Sequence, residues 1–120
     1  MQGTTKNFDK VSAPKELLSK TVSSITSSSQ AVRRIIVFGS RARGDNGDDS
    51  DIDLYVTVLG LKGSRLSACR EIYPHLDWLN AFDSLPYDLV VRDDRDFEAR
   101  AKSFGSLENV VAREGVEIYG

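Results

Sequence analysis

The stretch Ile35-Ile-Val-Phe-Gly-Ser-Arg-Ala-Arg-Gly44, with Ser50-Asp-Ile-Asp-Leu-Tyr-Val-Thr-Val58 a few residues later, decides the fold of this chain. Each part contains a short, nearly continuous apolar run rich in β-branched residues, which is typical of strands buried on both faces. We therefore predict strands over Arg33–Phe38 and Asp51–Val58. The link between them, residues 40–50, has room for one helical turn and an acidic loop.

Helical stripes and short strands alternate along the rest of the chain. This alternation predicts an α/β or α+β fold in which helices cover a small mixed sheet. Residues 1–11 are polar, and we expect them to be flexible. The further predicted elements are a helix from Ser12–Pro14 to Thr26–Gln30, a helix over residues 66–79, a strand at Tyr87–Val91, helices at Phe97–Phe104 and Ser106–Gly115, and an edge strand at Val116–Ile118.

Three residues mark where the helices are expected to bend, begin or end. Pro74 lies inside an apolar helical stripe and predicts a kink or two abutting helices there. Ser106 is the predicted N-cap of the last helix, because its hydroxyl can accept a hydrogen bond from a free backbone N–H. Gly115 is placed to end the same helix.

Length and composition limit the classes of protein that fit. A chain of 120 residues suits one hydrophobic core, so we expect a single domain over residues 1–120. The net charge is −2 and no basic run is long enough to follow a phosphate backbone, so nucleic acid is not an expected partner. Cys69 is the only cysteine, which excludes an internal disulfide and a cysteine-based zinc site. Without a signal-like stretch or an apolar run near ~20 residues, we expect a cytoplasmic protein with no membrane partner.

Asp51 and Asp53 are the residues that point to chemistry. Residues i and i+2 of a strand share a face and lie about 6.5–7 Å apart, given a rise of ~3.3 Å per residue. Two carboxylates at that separation can lean together and bridge metal ions about 3.5–4 Å apart, as in two-metal phosphoryl-transfer sites. Mg²⁺ fits best, because it prefers a few carboxylates together with substrate phosphates and water.

The Gly39-Ser40 turn supplies a complementary anion site. Glycine permits a close backbone approach and unusual dihedral angles. Backbone N–H groups that open a helix at Ser40–Ala42 would surround a phosphate oxygen, and the Ser40 hydroxyl can add a hydrogen bond. Arg41 and Arg43 are candidates to neutralise phosphate charge, and their alternate spacing indicates that one of them points inward.

Other phosphate and metal motifs fail at single positions. A Walker loop needs Gly-Lys-Ser/Thr, whereas Asp45 follows Gly44, and the spacing of Gly39 and Gly44 does not fit the dinucleotide fingerprint. A calcium loop starting at Asp49 lacks the glycine at its sixth position and the glutamate at its twelfth.

We expect ordinary roles for the other polar and reactive residues, namely solvation for Asp45, Asp48 and Asp49, and packing or capping for Cys69, His75 and Trp78.

The run Gly39-Ser40-Arg41-Ala42-Arg43-Gly44, followed by Ser50-Asp51-Ile52-Asp53-Leu54, resembles the signature of the DNA polymerase β-like nucleotidyltransferase superfamily. The resemblance is closest to the minimal nucleotidyltransferases, the antitoxin halves of HEPN/MNT toxin–antitoxin pairs. It extends along the chain from the leading helix, through the motif and a later aspartate-bearing strand, to a Glu-Gly-Val-Glu-Ile-Tyr ending. It implies a polymerase β-like fold.

The resemblance also implies a role for each polar residue of the motif. Asp51 and Asp53 would hold two Mg²⁺ ions, and Asp88 would complete one metal site and help to activate the attacking hydroxyl. Gly39 and Ser40 would bind the β- and γ-phosphates. ATP as the donor of AMP rests on the resemblance alone, because no residue visibly reads a base.

The acceptor of the nucleotidyl group is expected to lie outside this sequence. Larger relatives carry an added helical domain for a small-molecule acceptor, and we expect the acceptor surface here to come from another protein or a second copy of the chain. A HEPN-type toxin is the leading partner. Two alternatives stay open: an antitoxin that neutralises its partner by contact, without catalysis, and an aminoglycoside-type transferase that modifies a small molecule.

Overall fold

The computed structural model describes residues 3–83 and 87–120, without the side chains of residues 75 and 77–83. The described residues form a four-stranded sheet in the order β3-β2-β1-β4, with β2 and β3 parallel and the other pairs antiparallel. The predicted mixed α/β architecture is therefore confirmed. The elements are a 3₁₀ helix at Phe8–Lys10, α1 (Lys15–Thr26), β1 (Val32–Phe38), α2 (Ser40–Arg43), β2 (Ile52–Val58), α3 (Arg65–Asp83), β3 (Tyr87–Asp93), α4 (Asp94–Ala101), α5 (Leu107–Glu114) and β4 (Val116–Tyr119).

The sheet is covered on both faces, as the apolar strands predict. Alternate β2 residues Ile52, Leu54 and Val56 are fully buried in the core that α1 and α3 share with the sheet. Tyr55, on the opposite face of β2, is also fully buried and packs with residues of α4 and α5. The face of β2 that carries Tyr55 also carries Asp53, two residues earlier, so the acidic pair stands on the side of α4 and α5.

A buried polar cluster ties α5 to the sheet. The Tyr55 hydroxyl donates a hydrogen bond to Glu108 Oε2 at 2.8 Å, and Arg92 Nε lies 3.4 Å from the same oxygen. Burial, followed by the hydrogen bond to Glu108, raises the pKa of the Tyr55 hydroxyl, so it stays protonated and can donate. Burial by itself would raise the pKa of Glu108, but the hydrogen bond from Tyr55 and the charge of Arg92 outweigh it, and the pKa is lowered.

Three expected helix features have different outcomes. Pro74 lies inside the single helix α3, so the alternative of two abutting helices is wrong. Ser106 caps α5 as predicted, because its hydroxyl accepts the N–H of Asn109 at 3.0 Å. Gly115 follows α5 as predicted, but its φ of −70° is not left-handed; glycine is needed because a Cβ would overlap the Val111 carbonyl oxygen.

Two further expectations concern side chains and membranes. The packing predicted for the side chains of His75 and Trp78 lies outside the described residues. Cys69 is half-buried, and its thiol lies 4.0 Å from the Leu89 carbonyl oxygen. None of the helices in the described ranges combines the length and the apolar character needed to cross a membrane.

Replacing Tyr55 by phenylalanine removes only the hydroxyl that satisfies Glu108. We expect Tyr55→Phe to lower the free energy of unfolding at pH 7 by about 1–3 kcal/mol, because a buried carboxylate loses a donor. The Glu108 carboxylate stabilises the fold above its ordinary pKa, and this contribution is lost as the pH falls through the lowered pKa. The penalty should therefore shrink in acid, as urea unfolding at several pH values would show.

Tyr119→Phe is the matched control for this measurement. The Tyr119 hydroxyl accepts a hydrogen bond from the Gly3 N–H, and removing it leaves no buried carboxylate without a donor. We expect its effect to be smaller and independent of pH. An equal, pH-independent loss in both variants would contradict the role assigned to Glu108.

Candidate active site

The three predicted carboxylates lie at one end of the sheet, where β2 and β3 begin. Asp53 is the second residue of β2 and Asp88 the second residue of β3, and the two are register partners in the parallel pair. Neighbouring strands are about 4.8 Å apart, so these side chains stand side by side. Asp51 lies one residue before β2, close enough for its charge to act on Asp53. Asp53 is half-buried, whereas Asp51 and Asp88 are exposed.

The carboxylates repel one another in the absence of a cation. Partial burial raises the pKa of Asp53, and the negative charges of Asp88 and Asp51 raise it further. Arg43 acts in the opposite direction, but its positive charge is the smallest of these influences. The site therefore carries unrelieved negative charge, which a divalent cation would neutralise.

The carboxylates are not arranged as a complete metal cage. Among the described side chains, no group of three or more His, Cys, Asp or Glu residues is placed to hold a metal ion. Mg²⁺ is usually bound through one or two carboxylates, substrate phosphates and water, so an incomplete protein ligand set suits it. The oxygen-only donor set of Asp51, Asp53 and Asp88 fits this ion chemically, and its mutual repulsion favours a cation.

Gly39 determines how close the turn after β1 comes to the acidic strand. Its φ of 73° is a conformation that residues other than glycine rarely adopt. A Cβ on residue 39 would overlap Asp53 Oδ2, so the carboxylate lies directly against the glycine backbone. Phe38, the residue before it, is the register partner of Asp53 across the antiparallel pair. The end of β1 and the beginning of β2 are thus fixed against each other at the site.

The turn that follows Gly39 presents backbone donors next to the carboxylates. The Gly39 carbonyl accepts the N–H groups of Ala42 and Arg43, and the Ser40 carbonyl accepts those of Gly44 and Asp45. The N–H groups of Ser40 and Arg41 donate to no residue in the described part of the chain. These two N–H groups and the Ser40 hydroxyl are donors of the kind that bind phosphate oxygens.

The two arginines of the motif have different surroundings. Arg41 is 5% exposed, and its guanidinium donates to the carbonyl oxygens of Ser12 at 2.6 Å, Ser50 at 3.0 Å and Asp48 at 3.1 Å. It therefore holds the acidic loop, residues 44–50, against the protein. Arg43 is exposed and pairs with Asp45 at 3.1 Å, which raises the pKa of its guanidinium.

Sequence reasoning missed the partners of Arg41 and the pairing of Asp45. The Ser12, Asp48 and Ser50 carbonyls are backbone groups, so their residue types carry no signal of the contact. Asp45 was expected to be solvated, and it is exposed, but it also pairs with Arg43. The i, i+2 spacing of Arg43 and Asp45 was the available signal.

The comparison with known protein families agrees with this geometry. The model of the family described as "Nucleotidyltransferase domain" matches residues 18–113, which is well over half of the chain. No curated protein sequence matches the chain significantly. The family match supports the polymerase β-like superfamily and nucleotidyl transfer as the general activity, with a nucleotide as substrate. The chain therefore belongs to the nucleotidyltransferase domain family.

Proposed function

We propose that this chain is a Mg²⁺-dependent nucleotidyltransferase that moves AMP from ATP onto a hydroxyl of a partner protein, as an MNT-type antitoxin of a HEPN-type toxin. The observation that carries the transfer chemistry is the position of Asp53, against Gly39 and in register with Asp88. This arrangement supports a site in which carboxylates and backbone donors would bind one triphosphate together. ATP, Mg²⁺ and the protein acceptor rest on the resemblance described above.

The turn after β1 would bind the leaving end of the nucleotide. The Ser40 N–H and hydroxyl, with the backbone of Gly39, would hold the β- and γ-phosphates. Arg43, which is exposed beside this turn, would exchange its contact with Asp45 for phosphate oxygens. Arg41 is engaged with three carbonyl groups, so we assign it to holding the acidic loop.

The carboxylates would act on the other side of the transferred phosphoryl group. Asp51, Asp53 and Asp88 would hold Mg²⁺, which when bound supplies charge stabilisation to the attacking and leaving oxygens. Asp88 is exposed and can accept the proton of the acceptor hydroxyl. The acceptor oxygen then bonds to the α-phosphorus while the bond to the bridging oxygen breaks, and pyrophosphate leaves.

The open end of the sheet leaves room for a large acceptor. The helices α4 and α5 pack on Ile36 and Tyr55, further along the strands from the carboxylates. Beside the carboxylates, Phe38, the register partner of Asp53, is only half-buried. An apolar floor next to charged groups suits a protein surface that carries a hydroxyl. The exposed aspartates of the acidic loop disfavour a nucleic acid there.

Transfer activity should depend on the acidic pair. With labelled ATP, Mg²⁺ and a HEPN-type partner, we expect Asp51→Asn/Asp53→Asn to lower label transfer at least about a hundredfold, because the ligands of the charge-stabilising cation are lost. Asp48→Asn/Asp49→Asn is the matched control, since it removes two exposed charges from the adjacent loop. We expect the control to retain activity within about threefold, consistent with the modest effect of surface charges.

The same assay separates the alternative functions. If the double Asn variant neutralises the partner as well as the wild type does, the protein acts by contact and the proposed catalysis is contradicted. If the isolated chain transfers label to an aminoglycoside and none to the partner, the acceptor is a small molecule and not a protein.

Gly39→Ala should disable the site more than an equivalent change nearby. Gly44 is left-handed, with φ of 84° and ψ of 11°, and alanine there costs about 1–2 kcal/mol of stability. Gly39, with φ of 73° and ψ of −153°, lies in a backbone region that is almost restricted to glycine, so alanine there is also strained. A Cβ at residue 44 meets no atom within 4 Å, whereas one at residue 39 displaces the Asp53 carboxylate. We expect Gly39→Ala to lose at least about a hundredfold in label transfer through this misplacement. Gly44→Ala should stay within tenfold, and equal losses would contradict the importance of the Gly39–Asp53 contact.

Asp53→Asn should stabilise the protein when no divalent cation is present. The folded chain binds a proton at Asp53 more tightly than the unfolded chain, so stability falls as the pH rises from the ordinary Asp value through the raised pKa. At pH 7 in EDTA we expect a small gain in the free energy of unfolding, because solvent screens the repulsion at this partly exposed carboxyl. The gain should vanish in acid, and thermal unfolding from pH 4 to 8 measures it. A lower melting temperature for Asp53→Asn at pH 7 would contradict the repulsion.

A further inference from the structure

Residues 3–13 form a segment, which we call the N-terminal strap, whose first part extends the sheet. The Thr4 N–H donates to the Gly120 carbonyl at 3.1 Å, the Gly120 N–H returns a bond to the Thr4 carbonyl at 3.1 Å, and the Lys6 N–H donates to the Ile118 carbonyl at 3.0 Å. Thr5 forms an antiparallel bridge with Tyr119. The strap thus pairs with the outer edge of β4 through these backbone hydrogen bonds.

The middle of the strap is anchored to the protein. Asn7 takes a left-handed conformation with φ of 60°, and its side-chain amide donates to the Glu117 carbonyl at 3.0 Å. Lys6 forms an ion pair with the Glu117 carboxylate. Val11 is 6% exposed and belongs to the core beneath α1 and α3. The strap therefore has fixed contacts before it reaches the active site.

The last part of the strap contacts the predicted phosphate-binding turn. The Ser12 N–H donates to the Arg41 carbonyl at 2.9 Å, and Arg41 Nη1 donates to the Ser12 carbonyl at 2.6 Å. Both contacts use only the backbone of Ser12. They are made to the second residue of α2, directly after Ser40.

The helix α2 depends on such outside contacts because it is only four residues long. A helix of one turn closes too few hydrogen bonds to offset the entropy of fixing its residues. The hydrogen bond from the Ser12 N–H holds the backbone of α2, and the guanidinium of Arg41 links the helix to the carbonyls of Ser12, Asp48 and Ser50. The strap, α2 and the acidic loop thus meet at a single buried arginine.

We propose that the N-terminal strap is a positioning element for the nucleotide-binding turn and that Ser12 is its positioning residue. This inference rests on the proposed function, since it takes the turn to bind a nucleoside triphosphate. The strap lies outside the residues 18–113 that match the family. Loosening it leaves the contact between Gly39 and Asp53 in place and allows the N–H groups of Ser40 and Arg41 to move. Nucleotide affinity falls, while turnover at saturating nucleotide is maintained.

The test compares Ser12→Pro with Ser12→Ala. Proline at residue 12 removes the N–H that bonds to Arg41, and Val11 already has φ of −108° and ψ of 134°, which suit a residue before proline. Alanine keeps both backbone contacts. The probe is an ATP analogue with a methylene between the α- and β-phosphates, titrated calorimetrically in the presence of Mg²⁺. Losing one net hydrogen bond predicts a Kd raised about three- to tenfold in Ser12→Pro, and no change in Ser12→Ala.

Amide exchange gives a readout that does not need the nucleotide. The N–H groups of Arg43, Gly44 and Asp45 close the turn onto Gly39 and Ser40, so they should exchange faster in Ser12→Pro than in Ser12→Ala. Val11→Ala loosens the same strap from its core contact and should raise the Kd in the same direction if Ser12→Pro does not fold. Where transfer is measurable, the KM for ATP should rise while kcat stays within about twofold.

Each outcome bears on one of the two proposals. A wild-type chain that binds the analogue, together with an unchanged Kd and unchanged exchange in Ser12→Pro, overturns the strap and leaves the proposed function standing. A wild-type chain that binds no analogue overturns the proposed function and the strap's role in nucleotide binding. If kcat in Ser12→Pro falls by the same factor as KM rises, the strap supports the stability of the whole protein and not nucleotide binding in particular. That result also overturns the inference.

Discussion

The contact between the Gly39 backbone and the Asp53 carboxylate is the constraint on which the site depends. It requires the last residues of β1 and the first residues of β2 to be in register, as the Phe38–Asp53 pair shows. It also requires a positive φ at residue 39, which turns the chain toward Ser40. The turn that we propose to bind phosphate and the strand that we propose to bind a metal ion therefore meet at one contact.

Two neighbouring positions of β2 use charge in opposite ways. At Tyr55, the carboxylate of Glu108 is satisfied by a hydroxyl and an arginine, and its pKa is lowered. At Asp53, only two residues earlier, the pKa is raised by burial and by the charges of Asp88 and Asp51. The cluster at Tyr55 stabilises the fold, whereas the repulsion at Asp53 opposes it, and such unrelieved repulsion is typical of functional sites.

Much of this could be predicted from the sequence, because local spacing decides it. The strands, the shared face of Asp51 and Asp53 and the Ser106 cap follow from periodicity and capping chemistry. The register of Asp53 with Asp88 could not follow, because β3 comes after a long helix and its alignment is set by tertiary packing. The role of Arg41 could not follow either, because its partners are carbonyl groups, which every residue has.

The N-terminal strap contacts the motif from outside the residues that match the family. Residues 18–113 match the nucleotidyltransferase domain, whereas the strap and β4 lie outside that range. Yet β4 completes the sheet beside β1, the strap pairs with β4, and Ser12 reaches the turn that β1 leads into. In our proposal, the matched residues supply the groups that take part in chemistry, and the flanking residues affect how rigidly those groups are held. Because rigidity of a binding turn is a component of affinity, chains with the same motif can differ in nucleotide binding through segments that carry no motif.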